Sequence, residues 1–79
     1  MNNPPKFCVG DIVEMYLPAG YHNWTTDHPC HGLLGVITEV KEDRFYHDGY
    51  GYLTSFDSAD TPVVWLSTRF IKGEALFTI

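Results

Sequence analysis

Five side chains that can ligate a metal or activate a nucleophile fall between positions 22 and 31: His22, Asp27, His28, Cys30 and His31. Neutral imidazole and thiolate are good donors to zinc or copper, and a histidine beside a thiol can serve as its base. The spacing argues for neither chemistry. Zinc sites pair their ligands at short intervals and repeat the pair elsewhere in the chain, whereas this cluster holds one cysteine and has no second pair. The cluster reads as surface histidines of a polar loop, and no metal or other cofactor is expected. His22, His28, Cys30 and His31 are the residues that would be called upon if an ion were bound. Catalysis by Cys30 would also need an oxyanion-stabilising motif and a cleft, and the sequence offers no such motif. No catalytic residue is assigned and the chain is read as non-enzymatic. The acidic neighbours Glu42 and Asp43, and Asp57 and Asp60, are turn residues by their surroundings. No glycine-spaced calcium loop accompanies them.

The aromatic residues carry more information. Phe7, Phe56, Phe70 and Phe77 occupy apolar strand or turn positions and should be core. Tyr16, Tyr21, Trp24, Tyr46, Tyr50 and Tyr52 exceed what a thin core can hold. Exposed tyrosine and tryptophan give large, rigid contact area with one polar handle, which suits partner recognition. The expected partner-binding set is Tyr21, Trp24, His28, His31, Tyr50 and Tyr52. For Trp24 the alternative is that it folds back over an open end of the core.

These residues need a frame. Residues 1 to 6 contain two prolines and read as a disordered arm. Gly10-Asp11 marks a turn or bulge, and Val13, Met15 and Leu17 alternate with Glu14 and Tyr16 in the period of a half-buried strand. Residues 18 to 31 contain two prolines and no sustained period, so they form one long loop, of a length that is uncommon without a function. Leu34 to Lys41 reads as a second strand, with Gly35 allowing close approach or a bulge and Ile37 pointing inward. Glu42-Asp43 is a reversal, Arg44 to His47 a possible short partner strand, and Asp48-Gly49 another turn. Tyr50 to Phe56 is a third strand, Asp57 to Pro62 a turn, and Val63 to Leu66 a fourth strand. Ser67 caps a single helical turn over 67 to 71, and Ala75 to Ile79 is a last short strand. The result is an all-β chain, a small five-stranded barrel spanning 7 to 79 with one helical turn before the last strand.

With 79 residues, 44% of them hydrophobic, the chain has room for one domain and one thin core. Ten acidic residues against five basic give a net charge of -5. Lys6, Lys41, Arg44, Arg69 and Lys72 never form the run with which nucleic-acid binders neutralise phosphates. Basic or neutral protein partners fit this field better than nucleic acid. Two cysteines are not the dense framework of a small secreted domain, and no window has the roughly 20 apolar residues of a membrane span or the pattern of a signal peptide. A cytoplasmic protein with free thiols and no membrane partner is expected, a small free-standing chain of the kind common in phage and bacterial genomes.

The succession Phe7…Val9-Gly10-Asp11…Val13, Gly32-Leu33-Leu34-Gly35-Val36-Ile37…Val40, Tyr52…Phe56 and Val64-Trp65-Leu66-Ser67-Thr68-Arg69-Phe70-Ile71 resembles the SH3-like barrels of the KOW type. It is also similar to the electron-transport accessory barrels, such as the photosystem I stromal subunit and the nitrile hydratase β-subunit barrel. The likeness covers nearly all of residues 7 to 72. It implies the SH3-like barrel, and it leaves function open because fold does not fix function. The leading expectation is a non-enzymatic interaction module or accessory subunit that presents the 18 to 31 loop and the Tyr50/Tyr52 region to a protein partner. A homodimer through a sheet edge is a further expectation. The KOW likeness implies nucleic-acid binding, with bases stacked on Tyr50, Tyr52 and Trp24. The other likeness implies an electron-transport accessory subunit, with Arg69 and Lys72 as a small docking patch.

Overall fold

The computed structural model describes residues 4 to 46, 48 to 56 and 63 to 78. Four antiparallel strands make one open sheet: β1 (Asp11–Glu14), β2 (Leu34–Glu42), β3 (Tyr50–Phe56) and β4 (Val63–Leu66), with β3 between β4 and β2 and β2 beside β1. Among the described residues the helical content is two 3-10 turns, Tyr21–Asn23 and Thr68–Phe70. No described helix is long and apolar enough to cross a membrane.

Local chemistry explains where each strand starts and bends. Gly10 adopts φ of 96°, a left-handed conformation that favours glycine. The turn there is closed by Asp11 N–H donating to the Cys8 carbonyl and by Cys8 N–H donating to Asp11 Oδ2. From Asp11 to Leu17 every second residue is buried, which is the period expected of a strand with one face on the core. A β-bulge falls in β2 between Ile37 and Glu39, where Thr38 is the extra residue and its hydroxyl donates to the Leu53 carbonyl. Such an insertion bends the strand and raises its twist. It lets the first part of β2 pair with β1 and the whole strand pair with β3. Gly35 is the close approach that its residue type suggested. A side-chain carbon there would lie 2.7 Å from the Phe56 ring.

The far side of β1 is lined by backbone from the end of the chain. Tyr16 N–H donates to Phe70 O, Lys72 N–H to Glu14 O and Leu76 N–H to Ile12 O, Met15 bridges Ile71, and Phe77 and Thr78 pair with Ile12 and Asp11. The core consists of Phe7, Val13, Met15, Leu17, Ile37, Tyr52, Phe56, Leu66 and Ile71. It therefore draws on every strand and on both flanking segments.

Several expectations need correction. Arg44 to Tyr46 form turns instead of a strand: β2 pairs directly with β3, and the 43 to 49 connection is held by Tyr46 N–H on Asp43 O, Gly49 N–H on Tyr46 O and Asp43 N–H on Gly49 O. Ser67 precedes the 3-10 turn but makes no side-chain cap. Cys8 is exposed. Phe70 is only half-buried, while Phe7 and Phe56 are core. Lys6, read as the end of a disordered arm, is tied down by its N–H donating to the Tyr52 hydroxyl at 3.0 Å. His47, the Asp57 to Pro62 turn, Ile79 and residues 1 to 3 lie outside the described residues, as do the side chains of His22 and Phe77.

Candidate partner-binding surface

The long loop between β1 and β2 is pinned to the body of the protein at both ends. Ala19 N–H donates to Asp27 Oδ1 at 2.7 Å, Gly20 N–H to Trp24 O and His28 N–H to Leu17 O, so the loop doubles back on itself. The histidines are part of this fastening. His31 Nδ1 accepts from Leu17 N–H at 2.9 Å, and His28 Nδ1 accepts from Cys30 N–H at 3.0 Å. An accepting ring nitrogen carries no proton, so each Nδ1 serves the backbone. His28 and His31 therefore organise the 18 to 31 loop. Among the described residues, no three His, Cys, Asp or Glu side chains come together as ligands for an ion.

Rings reinforce the hydrogen bonds. Tyr21 stands edge-on to Tyr16 with centroids 5.4 Å apart and reaches Phe70 at 6.5 Å, and its hydroxyl donates to the Arg69 carbonyl at 3.4 Å. Trp24 packs at 5.3 Å against His28. The edge-to-face pairs of Tyr21 with Tyr16 and Phe70 add to what area burial alone contributes. They join the loop to the second 3-10 turn, leaving a groove between them.

That groove holds about 420 Å³ and is lined by Met15, Leu17, Trp24, His28, Cys30, Val64, Trp65, Leu66 and Phe70. One wall is the loop, the other is β4 and the 3-10 turn, and the floor is the end of β1. Trp24 is half-buried here, packed against the core and lining the groove. Trp65 and Phe70 also line a second cleft of about 320 Å³, completed by Phe45, Tyr46, Ser67 and Arg69. Its outer lip is the 43 to 49 loop. Phe45 there is 87% exposed, and its N–H donates to Asp43 Oδ1. That backbone hydrogen bond, aided by Lys41, holds the Asp43 carboxyl below the usual carboxylate range. Gly51 of β3 makes room for Tyr46: a side-chain carbon at 51 would fall 2.5 Å from the Tyr46 ring.

Of the six residues expected to bind a partner, Trp24 and His28 line the larger groove, and Tyr21 and His31 brace the loop behind it. Tyr50 is half-buried against the core. Tyr52 has to be moved off the surface. It is 0% exposed and packs edge-on to Phe7 at 5.4 Å, and burial pushes its phenol up from the ordinary value. Tyr52, Thr54 and Phe56 are buried and alternate with half-buried Leu53 and Ser55, so the strand period that puts Phe56 in the core puts Tyr52 there too. Sequence reasoning missed Trp65 as a groove residue and Phe45, Tyr46, Arg69 and Ser67 as residues of the second cleft. The aromatic-Gly-aromatic pattern at 50 to 52 was a signal for a ring packed over glycine, but the ring comes from Tyr46.

Comparison with protein-family models, with curated proteins and with solved structures finds no match to the chain.

Proposed function

We propose that this chain is a small, non-enzymatic protein-interaction module built as a five-stranded SH3-like barrel. In this reading, the segment 70 to 78 acts as the fifth strand closing against β1. The bound partner is an extended apolar segment of another protein, lying between the 18 to 31 loop and the β4 to 3-10 junction. The observation that carries the reading is the groove of about 420 Å³, whose walls are Trp24, Val64, Trp65, Leu66 and Phe70. It is apolar, open along its length and walled by fastened elements. Preformed walls reduce the ordering cost of binding, and aromatic side chains in partly desolvated clefts are the groups that dominate interface energetics.

The cations support a protein partner over nucleic acid. Lys41 bonds Asp43 at 3.4 Å and Lys72 bonds Glu14 at 3.7 Å, and the chain carries a net charge of -5. A phosphate-tracking stripe needs clustered free Lys and Arg.

The test is a pull-down from source-cell lysate with the wild-type chain beside Trp24→Ala and Trp65→Ala variants of verified fold, with nuclease in one arm. The segment recovered is then mapped onto the protein by amide chemical shifts. Loss of capture in both variants, with shifts confined to the groove and no effect of nuclease, is the expected result. Capture that ignores both substitutions, or that nuclease alone abolishes, overturns the proposal.

A further inference from the structure

The smaller cleft differs from the larger groove in its polar content. Four of its six lining residues are aromatic, Phe45, Tyr46, Trp65 and Phe70, and the other two are Arg69 and Ser67. Both polar residues are unmatched. Arg69 has no carboxylate at ion-pair distance among the described residues, while Lys41 and Lys72 do. Lys6 and Arg44 likewise have no such partner among the described residues, but of the three only Arg69 lines the cleft. Ser67 is 6% exposed, and its Oγ is buried with no hydrogen-bond partner among the described residues. Buried hydroxyls are nearly always satisfied, so an exception asks for a partner.

We infer that this cleft captures the C-terminal residue of a partner polypeptide. The terminal carboxylate pairs with the Arg69 guanidinium, the last side chain is apolar and enters the aromatic cleft, and Ser67 supplies a hydroxyl to the same terminal group. The assignment rests on the interaction-module reading and specifies its ligand. Three features select a chain end. The cleft holds about 320 Å³, room for a single large residue. An internal residue has one side chain, which can be apolar for the rings or acidic for Arg69, but not both. A C-terminal residue brings an apolar side chain and a carboxylate together. The negative charge of the chain then disfavours segments with further acidic residues, and a terminus adds only one charge. Trp65 and Phe70 line the cleft and the larger groove alike, so the preceding residues of the partner continue along that groove without leaving the surface.

The experiment selects short random peptides on the full chain from two libraries, one with free C-terminal carboxylates and one displaying the same lengths internally. Affinities are then measured by fluorescence anisotropy for each selected peptide as acid and as C-terminal amide. The expected result is enrichment of large apolar last residues. Amidation should weaken binding by about tenfold or more, since hydrogen bonds to charged groups carry that much discrimination. Arg69→Gln should weaken the acid to a similar degree while leaving the amide unchanged, and Ser67→Ala should weaken the acid by about 3- to 10-fold. Equal binding of acid and amide, or an Arg69→Gln effect that is the same for both, overturns the C-terminal assignment. Internal peptides that bind in the larger groove alongside that result would leave the interaction module standing. Absence of enrichment from both libraries counts against both readings.

Discussion

Replacing Ser67 by alanine separates two accounts of the segment that joins β4 to the chain end. If Ser67 capped the 3-10 turn through its side chain, the substitution would cost about 1 kcal/mol. In the structure its hydroxyl makes no cap bond and has no partner among the described residues, although the residue is almost wholly buried. A buried hydroxyl without a hydrogen bond carries a desolvation penalty of about 1 to 3 kcal/mol. Alanine removes that penalty and forfeits a few tenths of a kcal/mol of dispersion contacts from one oxygen, since single atom pairs contribute only ~0.1 to 0.2 kcal/mol. The net expectation is a ligand-free protein stabilised by about 1 kcal/mol, which for a domain of this size is a rise in Tm of about 4 to 8 °C. The backbone geometry of the turn is unaltered by the change. Urea denaturation followed by tryptophan fluorescence is the assay, with the stability difference taken from the midpoint at constant slope. The two accounts differ by about 2 kcal/mol and in sign. A midpoint that falls by the equivalent of about 0.5 kcal/mol or more at unchanged slope would refute the reasoning, and with it the use of Ser67 as an unmatched group in the cleft.

Tyr52→Phe removes the acceptor for Lys6 N–H and should cost about 0.5 to 1.5 kcal/mol at neutral pH. Because burial raises the folded phenol above its unfolded value near ~10, the wild-type contribution is intact below that pH and is lost as pH rises through the folded value. Tyr52→Phe should therefore flatten the alkaline fall in stability, and an unchanged alkaline limb in denaturant titrations would count against the buried placement. Asp43 is shifted the other way, chiefly by the Phe45 N–H, so its contribution to the 43 to 49 loop is present above the ordinary Asp value of about 3.9 and fades as pH falls toward the lower folded value. The Phe45 amide resonance should follow that titration and lose it in Asp43→Asn. Gly51→Ala places a methyl carbon 2.5 Å from the Tyr46 ring, so the ring must swing away. Stability should change by about 1 kcal/mol or less while peptide binding at the smaller cleft is lost, and retained binding would show that Tyr46 is not part of it. Ile37→Ala, at a fully buried core position, should cost about 2 to 5 kcal/mol by equilibrium denaturation.

The strands were legible because each is short, apolar and bounded by turn chemistry. Tyr50–Phe56 and Val63–Leu66 begin and end where residue types change, and Ile37 sits inward because its period requires it. The misreadings arise where a decision belongs to a neighbour. Tyr52 and Tyr50 have the same side chain two positions apart on one strand, yet the first is 0% exposed and the second half-buried, because Phe7 and Lys6 close over the first. Arg44 to Tyr46 carry strand-like residues but lie in a connection whose backbone groups bond one another. Ser67 has the residue type and position of a cap, yet its side chain makes no cap hydrogen bond.

The candidate site divides along the same line. The 18 to 31 loop announced itself by length and composition, since a long irregular segment rich in aromatic and imidazole groups must be fastened by its own side chains. The opposite wall could not be read from the chain, because Trp65 was one member of a four-residue apolar strand with no polar alternation to assign its face. What joins them is the contact of Tyr21 with Phe70 and with the Arg69 carbonyl, two elements about fifty positions apart in sequence. A groove assembled from a fastened loop and a strand edge gains its walls when those distant parts meet. Its lining includes Trp65 and Phe70, whose isolated types carry no recognition signal, and in the proposed reading substitutions at that contact should alter binding by moving a wall as much as by deleting a group. The pair Tyr21→Phe and Tyr21→Ala makes this concrete: the first removes only the hydroxyl bonded to Arg69 O at 3.4 Å, the second also the ring against Tyr16 and Phe70. Phenylalanine should preserve binding to within a few-fold and alanine should not, since the long hydrogen bond is weak and the ring contacts carry the position of the wall.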